Sequence, residues 1–490
     1  MKDLRKEIDN IDRELADLMN RRLDVAKKIG AYKLARGIPV LDEKREEEKL
    51  QAFAEQFDED RKKCGTRVME AVMEVSRDYQ KDKAFEYALL GSKLGHSFSP
   101  QVHMMLGGYE YGLIEMEEEE LEGFFKDFPM KGISVTMPYK RKVMKYCDEI
   151  SDHAKATNSV NTIVKNSDGT LAGYNTDYDG FRYTVERSGV SIQGEKCLIL
   201  GSGGVSGTVK KVLEDLGAGE IITVSRSGSD NYDNISRHED AGIIVNATPV
   251  GMYPDTGSSP VDIEIFKNCK GIFDLIYNPL RSRLMLEGRD RGIPAFSGMH
   301  MLVAQAASAC RLFTGEDHMD RIDVVCEQLE KDMENIVLIG MPGSGKTSIG
   351  RKLGEMTGKV FVDSDELIRS TFGKTAEEII ISEGEEAFRK KEIKVIDSAA
   401  KIGGRVIATG GGVVERAENR DPLRSNGRIV YIKRDIDKLS REGRPISGAR
   451  GTEVLYGERK DKYESWQDLT VENRDIDEAA ENILEGLGYR

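Results

Sequence analysis

The chain of 490 residues has few cysteines, no long apolar run and no excess of positive charge. Its six cysteines are far apart and form no CxxC pair, which argues against a disulfide framework or a zinc site. No apolar run approaches the roughly 20 residues that cross a bilayer, and no signal-peptide pattern is found near the N-terminus. With 72 basic and 86 acidic side chains, the net charge of -14 disfavours a broad surface for nucleic acid or anionic lipid. We therefore expect a soluble, cytoplasmic protein.

The chain also lacks internal repeats and low-complexity segments, and it is too long for a single core. Residues 1–83 have helical periodicity, many charges and no strand signal. Strands, glycines and helices alternate over 86–315, and a further α/β pattern occupies 334–490. We predict an all-α domain of three helices, a two-part α/β domain and an α/β domain with a parallel sheet.

The most informative motif is GMPGSGKT at 340–347, directly after the apolar run 336–339. A strand, a glycine-rich loop and a helix in this order point backbone N–H groups at phosphate oxygens, so the motif predicts an ATP site. Lys346 adds charge there, and Thr347 adds a hydroxyl for Mg²⁺. The other residues predicted to line the phosphates are Gly343, Ser344 and Gly345.

Carboxylates and arginines follow this motif. Asp363 and Asp365 are predicted to lie on the same side of an extended segment, because strand side chains alternate, and so to face one ligand. Arginine can bind a carboxylate through two parallel hydrogen bonds, and glycine lets the backbone approach a small ring. The further candidates are Arg389, Gly411, Arg444 and Arg459.

With these residues, 334–490 resembles shikimate kinase over its whole length. The resemblance implies that Asp363 lies near the metal and that Arg444 is a lid residue over the transferring phosphoryl group. The segment that follows Arg444 is shorter than is usual in that family. The residues that the resemblance places around shikimate are Asp365, Arg389, Gly411 and Arg459.

The first predicted helix has apolar side chains at alternating intervals of four and three residues, the pattern of a long helix with a packed seam. Arg22 interrupts the seam, and a buried arginine is costly unless it meets an anion. The alternative is an arginine that reaches solvent at the helix edge. Lys33 shares the face of Arg22, whereas Arg5 lies about 100° around the helix and is expected to serve a different pocket. The seam is Leu4, Ile8, Ile11, Leu15, Leu18, Val25, Ile29 and Tyr32.

Two further predicted helices, 42–57 and about 61–80, carry polar side chains at i, i+3 and i+4. With the LRKEID and IPVLDEKREEE segments, they make residues 1–83 resemble the all-helical chorismate mutase family. The resemblance implies a homodimer in which Arg5 enters the partner's site. It also implies that chorismate rearranges to prephenate with Lys33 and Gln80 stabilising charge on the ether oxygen. The implied site comprises Arg22, Lys33, Asp42, Arg45, Glu46, Ser76 and Gln80.

The middle region combines polar loops with one acid–base candidate. Ser97 and Ser99 could receive a small oxyanion, although a serine-rich turn alone would be an ordinary loop. Lys140 and Asp177 would form a general acid and base if one cleft held both, because each charge tunes the other. Further polar candidates are Thr136, Asn161 and Asn175.

A cofactor pattern follows at 197–207, CLILGSGGVSG, where an apolar strand enters a turn containing Gly201, Gly203 and Gly204. Such a turn suits the pyrophosphate of a dinucleotide. The next strand ends in Ser225, Arg226 and Ser227 rather than in an acidic residue, which favours the 2′-phosphate of NADP over the free hydroxyl of NAD.

With the VNATPVGM, FDLIYNP and GMHMLVAQAA segments, 86–315 resembles shikimate dehydrogenase. The resemblance implies a substrate part at 86–190 plus C-terminal helices, and a Rossmann-type NADP part at 191–297 that Gly298 adjoins. Lys140 and Asp177 would then handle the proton while the cofactor exchanges hydride with the ring carbon that is a carbonyl in 3-dehydroshikimate. His300 stands where a smaller residue is expected. The implied substrate contacts are Ser97, Ser99, Thr136, Asn161, Asn175, Tyr277 and Gln305.

The three resemblances together indicate a multifunctional enzyme of aromatic amino-acid biosynthesis. Two alternatives stay open at this point. The helical region could be a dimerising or ligand-sensing module without catalysis, or the dehydrogenase could prefer quinate to shikimate.

Overall fold

The computed structural model describes residues 1–35, 43–82, 85–95, 97–438 and 451–489, so the predictions for Asp42 and Arg444 lie outside the described residues. The chain divides into two compact units, 1–179 with 305–319 and 180–304 with 320–490. Among the described helices, none is both long enough and apolar enough to cross a membrane.

The N-terminal part is all-α, with α1 (Lys2–Ala35), α2 (Glu43–Ala54) and α3 (Lys62–Asp82). Both α1 and α2 contact α3, and Ala26 and Met73 are buried. The predicted seam of α1 is mostly outside this packing. Its described side chains are 41% to 62% exposed: Leu4, Ile8, Ile11, Leu15, Leu18, Val25 and Ile29.

The remainder of the first unit is built on a mixed six-stranded sheet in the order β2-β1-β3-β5-β6-β4. Strand β1, next to the edge strand β2, pairs in parallel with β2 and β3 and is buried along its whole length, as its unbroken YALLG run predicts. The strands are β1 (Tyr87–Gly91), β2 (Tyr111–Glu115), β3 (Gly132–Val135), β4 (Glu149–Ile150), β5 (Thr162–Lys165) and β6 (Leu171–Tyr174). The helices are α4 (Ser99–Gly107), α5 (Leu121–Lys126), α6 (Asp152–Thr157) and the start of α7 (Thr176–Ser188).

The second unit begins with a parallel sheet in the order β11-β10-β9-β7-β8, which we call the NADP module with its helices. The strands are β7 (Lys196–Leu200), β8 (Glu220–Val224), β9 (Ile243–Asn246), β10 (Gly271–Asp274) and β11 (Ala295–Phe296). The helices are α8 (Ser206–Asp215), α9 (Arg283–Asp290) and the beginning of α10 (Met299–Thr314), which from Gln305 onward belongs to the first unit. Helix α11 (Ile322–Met333) then leads into the next domain.

A second parallel sheet, in the order β13-β14-β12-β15-β16, forms the C-terminal domain. Its strands are β12 (Asn335–Ile339), β13 (Val360–Asp363), β14 (Arg405–Ala408), β15 (Gly427–Lys433) and β16 (Leu469–Glu472). Its helices are α12 (Lys346–Thr357), α13 (Ser364–Phe372), α14 (Ala376–Glu383), α15 (Glu385–Ala400), α16 (Arg420–Asn426), α17 (Thr452–Trp466) and α18 (Ile476–Gly486). Because the carboxyl ends of parallel strands share one edge, β12, β13 and β14 bring their following loops together. The predicted fold class is confirmed for the described residues.

Candidate active sites

The loop between β12 and α12 has the conformation of a phosphate cradle. Gly345 has φ +99°, and a Cβ there would lie 2.1 Å from Asn473 Nδ2, so only glycine fits. Asn473 Nδ2 in turn donates to the carbonyl of Ser344 at 2.6 Å. Lys346 Nζ donates to the carbonyls of Gly340 and Met341, each at 2.9 Å. The loop residues therefore fit ATP, and Lys346 is already held at the cradle.

The prediction that Asp363 and Asp365 share an extended segment is wrong. Strand β13 ends at Asp363, which caps α13 by accepting hydrogen bonds from the backbone N–H groups of Asp365 at 2.9 Å and Glu366 at 3.4 Å. A short polar side chain before a helix favours this cap over a continued strand. Thr347 Oγ1 donates to Asp363 Oδ2 at 2.8 Å, so the pair expected at Mg²⁺ is in contact.

Asp363 and Asp365 nevertheless line one cavity of about 410 Å³ with the phosphate loop. Arg389 and Arg459, also in its lining, are each only 3% exposed. Arg389 donates to Glu392 Oε2 at 2.8 Å and to the Gly412 carbonyl at 3.0 Å, and Arg459 Nε donates to a Glu415 carboxylate. Gly411 completes this wall. A Cβ there would lie 2.5 Å from the Pro342 ring.

Glu392 is a cavity residue that the sequence interpretation missed. It is 1% exposed, and burial raises its pKa while the neighbouring Arg389 opposes that rise. Its Oε1 atom is buried and has no hydrogen-bond partner among the described residues. A Cβ on Gly410 would lie 3.2 Å from that oxygen. The spacing i, i+3 from Arg389 could have indicated it. Arg434 was also missed, although it lines the cavity and donates to the Gly343 carbonyl at 3.3 Å.

In the first unit, Lys140 and Asp177 come together as predicted. The Lys140 Nζ and Asp177 Oδ2 atoms are 2.5 Å apart, and the side chains are 15% and 10% exposed. Asn161 Nδ2 donates to the second carboxylate oxygen of Asp177 at 3.0 Å. Asp177 lies in the first turn of α7. Asn161 Oδ1 also accepts the Thr176 N–H at 2.7 Å, which fixes the amide's orientation.

The other predicted substrate contacts are divided between several elements. Ser97 and Ser99 are joined by a hydroxyl–hydroxyl hydrogen bond of 3.1 Å at the start of α4. Asn175 donates to Thr157 Oγ1 on α6 at 2.7 Å. Gln305 accepts a 3.5 Å contact from the Thr176 hydroxyl, and Thr136 directly follows β3. Tyr277 belongs to the second unit, where it follows β10 and is half-buried.

The NADP module contains a cavity of about 600 Å³ at the ends of β7 and β8. Gly201 has φ +101°, and a Cβ there would lie 2.8 Å from Thr248 Cγ2, so a larger residue would close the turn. Arg226 is exposed and makes no hydrogen bond or ion pair with any described residue, which leaves its guanidinium available to a phosphate. Tyr232 in the lining was missed. The predicted residues in the lining are Gly201, Gly203, Ser225 and Arg226, and Gly204 and Ser227 follow them directly in the chain.

Two residues near α10 have packing explanations. A Cβ on Gly298 would lie 2.1 Å from the Leu275 carbonyl oxygen, so the backbone approach itself demands glycine. His300, larger than expected, places Nε2 3.5 Å from the Asp323 carboxylate on α11, and burial lowers its pKa. Arg187 donates to the same carboxylate at 2.7 Å. The larger side chain therefore contacts the connecting helix.

In the helical domain, only some of the predicted site residues have described side chains. Arg22 is half-buried, and its Nε is buried without a hydrogen-bond partner among the described residues, as a ligand-binding cation would be. Glu46 forms an ion pair with Arg77, a residue that the sequence interpretation did not include in the site. Ser76 is buried and donates to the Val72 carbonyl at 2.6 Å. Arg5 and Arg45 are exposed. The side chains of Lys33 and Gln80 lie outside the described residues.

A phosphate cradle, a cofactor cavity and a buried lysine–aspartate pair define a multidomain enzyme. Family models match three regions: chorismate mutase type II at 4–81, the shikimate dehydrogenase substrate binding domain at 89–163 and shikimate kinase at 342–487. The chain belongs to the shikimate dehydrogenase family through its middle part. It is a multifunctional enzyme that also has chorismate mutase and shikimate kinase domains, and its cofactors are NADP(H) and ATP with Mg²⁺.

The relatives cover the middle of the chain. The NADP(+) shikimate dehydrogenase of Clostridium perfringens strain SM101 is 35% identical over 250 residues, which span 47% of this chain and 92% of the relative. That of Syntrophomonas wolfei is 35% identical over 284 residues, covering 50% of this chain and 96% of the relative. A solved structure of a chorismate mutase/shikimate 5-dehydrogenase fusion protein from Clostridium acetobutylicum has 35% sequence identity and a TM-score of 0.48. The match covers 50% of this chain and 97% of that chain.

Proposed function

We propose that this chain catalyses three reactions of the shikimate pathway through the residues described above. These are the rearrangement of chorismate to prephenate, the NADPH-dependent reduction of 3-dehydroshikimate to shikimate and the ATP-dependent 3-phosphorylation of shikimate. The observation that carries the proposal is the buried contact between Lys140 and Asp177, held by Asn161. Lys140 and Asn161 lie within the region that matches the shikimate dehydrogenase substrate binding domain.

In the dehydrogenase reaction, NADP(H) supplies or receives the hydride when bound. Lys140 Nζ is the proton donor to the substrate oxygen during reduction, and Asp177 orients the ammonium group. The serine pair Ser97 and Ser99 binds the substrate carboxylate, and Arg226 contacts the 2′-phosphate. The Lys140–Asp177 pair and the serine pair are each joined by a hydrogen bond before the substrate binds.

In the kinase reaction, ATP supplies the phosphoryl group. Lys346 would bind the phosphate oxygens in place of its two carbonyl contacts, and Thr347 and Asp363 would hold Mg²⁺. Arg389 and Arg459 bind the shikimate carboxylate, and Asp365 accepts a hydrogen bond from the reacting hydroxyl. Glu392 supports this site by fixing Arg389 at 2.8 Å.

We further propose that the helical domain is a catalytic homodimer. The exposed apolar seam of α1 supports this, because seven large apolar side chains on one helix form a face that a second copy can cover. Arg22 supplies a cation for one substrate carboxylate, and Arg5 of the partner copy would complete the site. A cytoplasmic location agrees with the free thiol state of the six cysteines.

Three assays on the purified whole chain test the proposal: prephenate formation, NADP-linked oxidation of shikimate, and ATP consumption with shikimate. All three are expected, with faster turnover of shikimate than of quinate. Loss of prephenate formation alone would leave the helical domain as a dimerising or ligand-sensing module. A preference for quinate would replace the proposed dehydrogenase substrate.

A further inference from the structure

The NADP module and the kinase domain, both in the second unit, are joined by a polar contact that we call the joint. Its NADP-module side is Leu280, Arg281 and Asp290, and its kinase side is α16 with Gly427 at the start of β15. Arg281 Nε donates to the Arg424 carbonyl and Nη2 to the Gly427 carbonyl, both at 2.8 Å. The N–H groups of Leu280 and Arg281 donate to Asn426 Oδ1 and the Ser425 carbonyl, both at 2.9 Å.

Charges reinforce these hydrogen bonds. The pKa of Arg281 is lowered by burial, and the kinase carboxylates Glu334 and Asp468 oppose that change. At the edge of the joint, Arg424 binds Asp290 through two parallel hydrogen bonds of 2.9 and 2.7 Å. A guanidinium that meets two backbone carbonyls and a bidentate arginine–carboxylate pair both require fixed geometry. The joint is therefore a specific contact rather than incidental packing.

The joint lies close in sequence to a predicted substrate contact. Tyr277 is four residues before Arg281, in the segment that links β10 to α9. The beginning of this segment is held by Asp274, whose Oδ1 accepts the Ile276 N–H at 3.1 Å. The middle of the segment is held by the Tyr253 N–H, which donates to the Asn278 carbonyl at 3.0 Å. The kinase domain holds the far end.

We propose that Arg281 is a positioning residue of the dehydrogenase: through the joint, the kinase domain holds the segment that carries Tyr277 in its substrate-binding position. This inference rests on the proposed function, because the substrate contact of Tyr277 is part of that proposal. It makes the kinase domain a structural part of the dehydrogenase, so the dehydrogenase of this chain needs its neighbour for full substrate affinity.

The test uses the full chain with Arg281→Ala, Arg281→Lys and Asp290→Asn, and with Arg291→Ala as the control. Arg291 is an exposed arginine directly after α9, outside the joint. Arg281→Ala is expected to raise the KM for shikimate by roughly 3- to 30-fold, the range for couplings of this kind, with the KM for NADP near that of the parent. Arg281→Lys should recover part of the loss, and Arg291→Ala should match the parent chain. Because Arg281 acts through Tyr277, adding Arg281→Ala to Tyr277→Phe should raise KM no further.

Additive effects in the double variant, or an unchanged shikimate KM in Arg281→Ala and Asp290→Asn, would overturn the proposal. Hydrogen exchange at residues 275–282 is a second readout that does not depend on turnover. Faster exchange there in Arg281→Ala, or in Asp290→Asn if the first variant does not fold, supports the joint, and parent-like exchange overturns it. A parent chain without shikimate turnover would refute the proposed function instead, while the exchange result would still decide whether the kinase holds this segment.

Discussion

The ammonium nitrogen of Lys140 lies 2.5 Å from the Oδ2 atom of Asp177, while Asn161 donates to the other oxygen of the same carboxylate. The aspartate thus has a fixed partner on each oxygen. A proton-transfer group held in this way loses little conformational entropy when the substrate binds.

Replacing either member of this pair should reduce dehydrogenase turnover. We expect Lys140→Ala or Asp177→Asn to lower kcat by roughly 100-fold or more, because the proton then has no positioned donor. NADP binding, kinase activity and mutase activity should persist. Lys142→Ala, at a half-buried lysine two residues away that pairs with Glu118, is the control and should retain turnover. A near-normal kcat in either variant removes that residue from the proposed role.

Arg226 should discriminate between the two nicotinamide cofactors. We expect Arg226→Ala to weaken NADP(H) binding by about 1.5 to 3 kcal/mol, the scale of a hydrogen bond to a charged group, with little effect on NAD(H). Titration of both cofactors measures this difference. Arg237→Ala, another exposed arginine of the module, is the control. Equal losses for both cofactors would instead assign Arg226 a role in the fold.

Substitutions in the phosphate loop and at the kinase carboxylate Asp365 should have different effects on kinase kinetics. Lys346→Met should abolish kinase activity, whereas Asp365→Asn should raise the shikimate requirement or lower turnover without loss of ATP affinity. Lys352→Met, on the solvent side of α12, should retain activity. Collapse of ATP binding in Asp365→Asn would place this residue in the nucleotide site.

The proposed mutase dimer can be tested by mixing inactive chains. Chains with Arg5→Ala and chains with Arg22→Ala should each lack mutase activity, and mixed dimers should contain one intact site. Random reassembly gives about half mixed dimers, so about a quarter of all sites should recover. Verified mixed dimers without activity would show that Arg5 and Arg22 act within one chain, or that Arg5 is structural. Deletion of 1–83 should leave the other two activities in a smaller particle.

Asp274 should make stability depend on pH. Burial raises its pKa to about 6 from 3.8, so the folded state holds this proton more tightly than the unfolded chain. Its contribution to stability is therefore complete below about pH 4 and is lost as the pH rises through about 6. The stability of the parent chain relative to Asp274→Asn should fall by roughly 3 kcal/mol over that window. Denaturant unfolding at several pH values measures it, and a constant difference would contradict the raised pKa.

Local patterns predicted most of the fold, because periodicity and glycine-rich turns act over short distances. Consecutive residues predict the phosphate loop and the cofactor turn, and the regular spacing of apolar residues predicts helix α1. The arrangement of Asp363 and Asp365 was not, because a helix cap replaced the expected strand alternation after Asp363.

Burial within the fold and contacts between distant residues account for the remaining differences. Glu392 resembles a surface residue of a helix until the burial of Arg389 beside it is known. Arg281 is similar, since its side-chain partners are backbone carbonyls 143 and 146 positions away. A carbonyl leaves no side-chain pattern in the sequence, so no spacing could have indicated this contact.

The connection between the NADP module and the kinase domain also restricts how the chain length can vary. Asp323 of α11 contacts Arg187 on α7 and His300 on α10, and the helix continues, after Glu334 alone, into β12. Each residue of a helix adds about 1.5 Å and about 100° of rotation. One inserted residue would turn the kinase domain by more than a quarter of a circle and separate Arg281 from its carbonyls. Substitutions on the exposed face of α11, such as at Val324, leave the rotation of the kinase domain about the helix axis unchanged. Single-residue insertions and deletions change it.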